Sequence, residues 1–171
     1  MSDTHQQLKC PACNKDMTKV FIPKEGVNID ICLDGCGGMW FDNRELSYFD
    51  EQDEKIEEII NVISNKTFAE VDQMNHRSCP ACGARMVKNF SSVKQAIQID
   101  ECYSCGGKFL DKNELLKFRD EYATEEDRSQ DTLKLMYDTV GKELVQLQEE
   151  NEERKKHRNL YKKLIDSLVN N

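Results

Sequence analysis

The sequence lacks the features that mark most enzymes and membrane proteins. It has three histidines, His5, His76 and His157, widely separated and in no nucleophile or general-base pattern, and no phosphate-binding glycine loop. His76 lies just ahead of a cysteine pair and could replace a ligand, but Cys79 already completes that set. The reading is non-enzymatic, with no catalytic residue. No apolar run approaches the ~20 residues of a membrane span. The first residues, MSDTHQQLK, are polar and read as a short lead-in, disordered up to Leu8, with no signal peptide. A soluble, cytoplasmic protein is expected. Cationic side chains are outnumbered: 24 Lys and Arg stand against 32 Asp and Glu, a net charge of −8, so non-specific affinity for nucleic acid should be weak. With 38% apolar and 33% charged residues, a single large core is unfavourable.

Cysteine is absent from most of the chain as well, and where it does occur it dominates. All eight cysteines fall in two copies of one stretch. Cys10 to Leu46 reads CPACNKDM, a loop, then NIDICLDGCGGMWFDNREL; Cys79 to Leu115 reads CPACGARM, a loop, then QIDECYSCGGKFLDKNEL. Most matched positions lie 69 apart, as do Cys10 and Cys79 or Asp42 and Asp111. The first copy has Cys10-x2-Cys13 and Cys32-x3-Cys36, the second Cys79-x2-Cys82 and Cys102-x2-Cys105, with 18 and 19 residues between the pairs.

Two thiol pairs at that separation have the ligand spacing of a four-cysteine zinc ribbon. Each short knuckle aims two sulfurs to one side, and a hairpin brings the second knuckle back opposite the first. Four thiolates then close a tetrahedron that leaves no position for water, so the ion is structural. A repeat of roughly 40 residues needs such a staple, because its core is too small to fold by burial alone. Disulfides fit poorly with paired CxxC turns in a cytoplasmic chain. A thioredoxin-like redox pair would open a helix, whereas Asn or Gly turns follow here. Iron remains an alternative to zinc in a tetrahedral thiolate site.

Within each copy, Gly35 is placed to take a positive φ before Cys36, and the Gly-Gly pairs let the backbone pass close to the sulfurs. Asp42-x-x-Glu45 and Asp111-x-x-Glu114 read as helix starts, with the aspartate as N-cap and the glutamate returning to its backbone N–H. Trp40, Phe41 and Phe109 are expected to cover the ribbon cores rather than stack on bases.

CPxC, a hairpin ending in Ile-Asp, CxxCGG, an aromatic, Asp and Glu-Leu together resemble the zinc-ribbon module named after transcription factor IIB, found in prokaryotic and phage proteins. The resemblance covers both repeats and implies zinc ligands Cys10, Cys13, Cys32 and Cys36, then Cys79, Cys82, Cys102 and Cys105, with two zinc ions per chain. The Cys32-x3-Cys36 knuckle departs from the pattern, which suggests that the first site is the more strained or weaker one.

The expected architecture is a small metal-stabilised α+β fold: ribbon 1 over 8–46, an acidic linker helix over 47–76, ribbon 2 over 77–115 and a helical tail over 116–171. Helical periodicity is read from Glu45 to about Asn75, with Leu46, Phe49, Ile56, Ile59, Ile60 and Ile63 near three- and four-residue spacing. The linker carries eight acidic residues against Lys55 and Lys66, as a solvated face or a surface for a basic partner. From Leu133 a heptad runs through Tyr137, Val140, Leu144, Leu147, Asn151, Arg154, Arg158, Tyr161, Ile165 and Leu168. Its apolar ends and polar centre fit either a homodimeric coiled coil over 133–168 or a helix docking on its own chain or on a partner. The cluster Arg154-Lys155-Lys156-His157-Arg158, with Lys162 and Lys163, reads as intrahelical ion pairs with the preceding glutamates, or as a nucleic-acid contact. Protein–protein interaction, with a link to transcription, is the leading function. A nucleic-acid-binding regulator, and zinc sensing or buffering, are the alternatives.

Overall fold

The computed structural model describes residues 6–50, 54 and 56–169, with side-chain surroundings up to residue 161. His5, Glu51, Asp53 and Lys55, and the side chains of Lys162, Lys163, Ile165 and Leu168, lie outside the described residues. The chain forms two units, one ending at Arg128 and the other beginning at Ser129.

In the first unit the strands are β1 (Thr18–Ile22), β2 (Val27–Ile31), β3 (Met39–Phe41), β4 (Val87–Phe90), β5 (Gln98–Glu101) and β6 (Lys108–Leu110). A 3-10 turn occupies Glu45–Tyr48, and α1 (Glu57–Ile63) and α2 (Glu114–Glu121) follow the two ribbons. Each ribbon contributes a three-stranded antiparallel meander. Gly26, at φ 67°, closes the first hairpin by donating its N–H to the Ile22 carbonyl at 2.9 Å.

The sequence does not reveal how the ribbons meet. Strands β3 and β6 pair antiparallel, Met39 with Leu110, Trp40 with Phe109 and Phe41 with Lys108. The result is one six-stranded sheet of order β1-β2-β3-β6-β5-β4, so the two ribbons are halves of one body. The second glycine of each Gly-Gly pair makes this approach feasible. A Cβ on Gly38 would stand 2.2 Å from the Phe109 ring, and one on Gly107 2.1 Å from the Trp40 ring. Each ribbon thus slots its aromatic against the other's glycine, and both rings are fully buried. Because neither ring has room to swing aside, Gly38→Ala or Gly107→Ala should each cost about 2–3 kcal/mol. Urea titrations of each variant against the parent would measure it.

The linker departs from the expected helix. Among the described residues of the linker, only Glu45–Tyr48 and Glu57–Ile63 are helical, and residues 64–77 run without helix. Tertiary contacts override the periodicity: Leu46, Phe49 and Ile59 each turn into the core, and the chain must then return across the first ribbon. There the Ala69 N–H, which a helix would have used, donates to the Gly35 carbonyl at 2.9 Å. Leu8, where the first ribbon was expected to begin, is buried among the cysteines and Trp40.

The second unit continues helix α3 (Glu125–Met136), whose first residues belong to the first unit, through a π-turn (Tyr137–Gly141) into α4 (Lys142–Val169). The π-turn inserts an extra residue, so the heptad from Leu133 does not run in unbroken phase. The expected intrahelical pairing occurs between Glu150 and Arg154 at 3.0 Å.

Candidate metal centres

The knuckles are backbone constructions. In the first of each ribbon, the Cys10 N–H donates to the Lys15 carbonyl and the Asn14 N–H to the Cys10 carbonyl, and Cys79, Ala84 and Gly83 repeat the pattern. Asn14 (φ 61°) and Gly83 (φ 75°) hold the left-handed position that this turn demands, which Asn and Gly tolerate best. In the second knuckle the Cys32 N–H bonds the Gly38 carbonyl and the Gly37 N–H the Cys32 carbonyl; Cys102, Gly107 and Gly106 do the same. The extra residue of Cys32-x3-Cys36 bulges without disturbing this closure. The positive φ expected at Gly35 belongs instead to Gly37, at 75°. Gly35 serves a different need, since a Cβ there would lie 2.6 Å from the Cys32 sulfur and 2.7 Å from that of Cys13.

All eight sequence-assigned ligands converge in two groups, Cys10/Cys13/Cys32/Cys36 and Cys79/Cys82/Cys102/Cys105, with the sulfurs of each within 4.8 Å of one another. Cys10 and Cys36 Sγ lie 3.4 Å apart, as do Cys13 and Cys32; the matching separations in the second group are 3.6 and 3.5 Å. Disulfides require about 2.05 Å. A tetrahedron with zinc–sulfur bonds near 2.3 Å has edges of ~3.8 Å, so four soft donors at these spacings fit zinc. The Cys32 thiol is held down to about 4 by hydrogen bonds from Cys10 and Cys36, while the same network pushes Cys10 up. Cys82 is lowered to about 7, first by a backbone hydrogen bond at Ala84 and then by Cys102. His76 is exposed and joins neither group.

The Asp-x-x-Glu elements are half as expected. Glu45 and Glu114 do accept the N–H of Asp42 and Asp111, at 2.8 and 2.6 Å. The residues preceding the helical turns are Arg44 and Asn113, both left-handed and without a side-chain cap. The aspartates are drawn inward instead. Asp42 accepts from Trp40 Nε1 at 2.9 Å, whereas Asp111 accepts from Arg77 at 2.8 and 2.9 Å. Arg77 also bonds Asp100 at 2.7 Å and lies over the Phe109 ring. Sequence reasoning overlooked Arg77. The available signal was that it occupies the place of Leu8 in a repeat where Phe109 replaces Trp40.

Burial pushes Glu114 up to about 7, and the neighbouring Asp111 charge adds to this. A carboxyl raised in the folded state favours folding below its unfolded value, and that advantage fades as pH rises through 7. Glu114→Gln keeps an acceptor for the Asp111 N–H without the charge. It should therefore melt higher than the parent at pH 8 and about equally at pH 5, as paired thermal scans would show.

Two closed four-thiolate groups on β-hairpin knuckles define a structural zinc-ribbon protein. Residues 9–48 and 78–120 each match the family model described as Transcription factor zinc-finger, the zinc ribbon of the TFIIB type. Those two segments are tandem zinc ribbons of that type, and their cysteines form two groups that fit zinc. Searches of curated proteins and of solved structures returned no match.

Proposed function

We propose that this is a non-enzymatic adaptor whose zinc-stapled body and long helix dock protein partners, with transcription as the setting that the family suggests. The observation that carries this reading is the row of large apolar side chains on the tail: Val140, Leu144 and Leu147 are each more than half exposed. Such a row on a helical face is costly in water and suits a helix-in-groove or helix-pairing partner, a second copy included. With an overall charge of −8, the chain is better matched to protein than to phosphate. Free thiols poised for a metal suit a reducing compartment, which supports a cytoplasmic location. The zinc ions would hold the ribbons folded through the eight cysteines and leave no open coordination position for chemistry.

Leu144→Asp with Leu147→Asp tests the reading. Light scattering should show loss of self-association, or affinity capture the loss of bound protein, with the ribbons still folded. Unchanged association would refute the role of this face. The nucleic-acid reading rests on the exposed run Arg154 to Arg158. It requires duplex-DNA binding that weakens steeply between low and moderate salt. In fluorescence anisotropy we expect no binding tighter than micromolar at physiological salt.

A further inference from the structure

We propose that the two zinc sites differ in kind: the second, on Cys79, Cys82, Cys102 and Cys105, is an exchangeable site, open to zinc acceptors and donors in solution, while the first is locked. This rests on the zinc-ribbon reading and deepens it. The asymmetry lies in what covers the second knuckle of each ribbon. Over the first, residues 66–71 of the linker form a cover. The Ala69 N–H bonds the Gly35 carbonyl, and Lys66 Nζ reaches Asp34 at 3.2 Å. The Phe68 ring seals Gly37 so closely that a Cβ there would lie 2.8 Å from it. Cys10, Cys32 and Cys36 are buried beneath, with Cys13 half-buried.

The second knuckle has no such cover. Among the described residues, no backbone N–H donates to Ser104, the counterpart of Gly35. Tyr103 is 69% exposed, Cys82 is exposed and Cys105 is half-buried. At Gly106 the nearest side chain is that of Asn43, 2.7 Å from where a Cβ would stand, and it is polar and exposed where Phe68 at Gly37 is an apolar ring. A competing ligand must reach a sulfur or the ion it holds. At the first site it must wait for residues 66–71 to lift, a local opening that breaks hydrogen bonds and exposes Phe68. At the second, Cys82 is already in solvent. The faster exchange is thus expected at the second site and not at the Cys32-x3-Cys36 site. A partner that covered Tyr103–Gly106 would lock the second site as residues 66–71 lock the first, so zinc retention there would report on docking.

The test is metal exchange on the full chain, loaded with natural zinc and incubated with an excess of an isotopically enriched zinc salt. Native mass spectrometry counts old and new ions, and timed N-ethylmaleimide pulses with peptide mapping assign them to ribbons. One metal should exchange at least tenfold faster, with Cys82 alkylated before any cysteine of the first group. Phe68→Ala should speed the slow metal several-fold and leave the fast one unchanged. Indistinguishable rates, earlier alkylation of the first group, or no effect of Phe68→Ala would overturn the proposal. A chain that holds other than two zinc ions would overturn the ribbon reading itself, whereas two ions exchanging equally would overturn only this inference.

Discussion

Cys32→Ser will disrupt the second ribbon as well as the first. Cys32 is fully buried and its sulfur stands 3.4 Å from that of Cys13, so serine removes a central donor from a closed set. Structural zinc sites of this class contribute apparent binding free energies of about 10–16 kcal/mol. An entire domain is stable by only about 5–15 kcal/mol, so loss of one site cannot be absorbed locally. The damage propagates because β3 has no partner in its own ribbon beyond β2. Its other edge is β6, and Trp40 fills the space over Gly107. Native mass spectrometry should find one zinc or none. Hydrogen exchange should show lost protection at Gln98–Glu101 and Lys108–Leu110, far from the substitution in sequence. Intact protection there would mean that the ribbons fold independently despite sharing a sheet.

Arg77→Ala should cost about 3–5 kcal/mol, the penalty for leaving buried charges without their partner. Arg77 is 2% exposed in its side chain, and its guanidinium binds Asp100 and Asp111, both buried. Lys88 still reaches Asp100 at 2.8 Å, so Asp111 is the group left stranded. The first ribbon solves the same problem with different residues. Leu8 stands where Arg77 does, Lys19 pairs with Asp30 at 2.9 Å, and the Trp40 indole N–H serves Asp42. Arg77→Leu combined with Phe109→Trp would rebuild that arrangement around the existing Lys88. The double variant should recover at least half of the loss of Arg77→Leu alone, although Phe109→Trp by itself overpacks the site. A double-mutant cycle by urea denaturation measures the coupling. Additive costs would show that the two ribbons do not share this logic.

Much of the chemistry was legible in residue order because metal ligation depends on local spacing. The Cys-x2-Cys turn places two sulfurs together whatever surrounds it, and repetition at 69 residues pointed to the two cysteine groups that the fold assembles and to both hairpins. The return of Glu45 and Glu114 to backbone donors three residues earlier was legible for the same reason. Where long-range packing competes with local preference, residue order was silent or misleading. Phe49 carries the periodicity of a helix face, yet it ends the 3-10 turn because the core beside Phe41 offers more burial than further helix would. Asp42 has the sequence of an N-cap, but the indole N–H of Trp40 is the nearer donor once the strand is in place.

By itself the sequence determined which cysteines gather into two groups fit for zinc and which stretches form hairpins, since each depends on residues within one knuckle or one turn. Only the tertiary structure decided that the two ribbons are one sheet, because strand pairing and the fit of Trp40 and Phe109 over Gly107 and Gly38 join residues 67 to 71 apart. It alone decided that the linker covers the first knuckle and leaves the second open. The cover is a matter of which carbonyl the Ala69 N–H finds, and no local propensity encodes that choice.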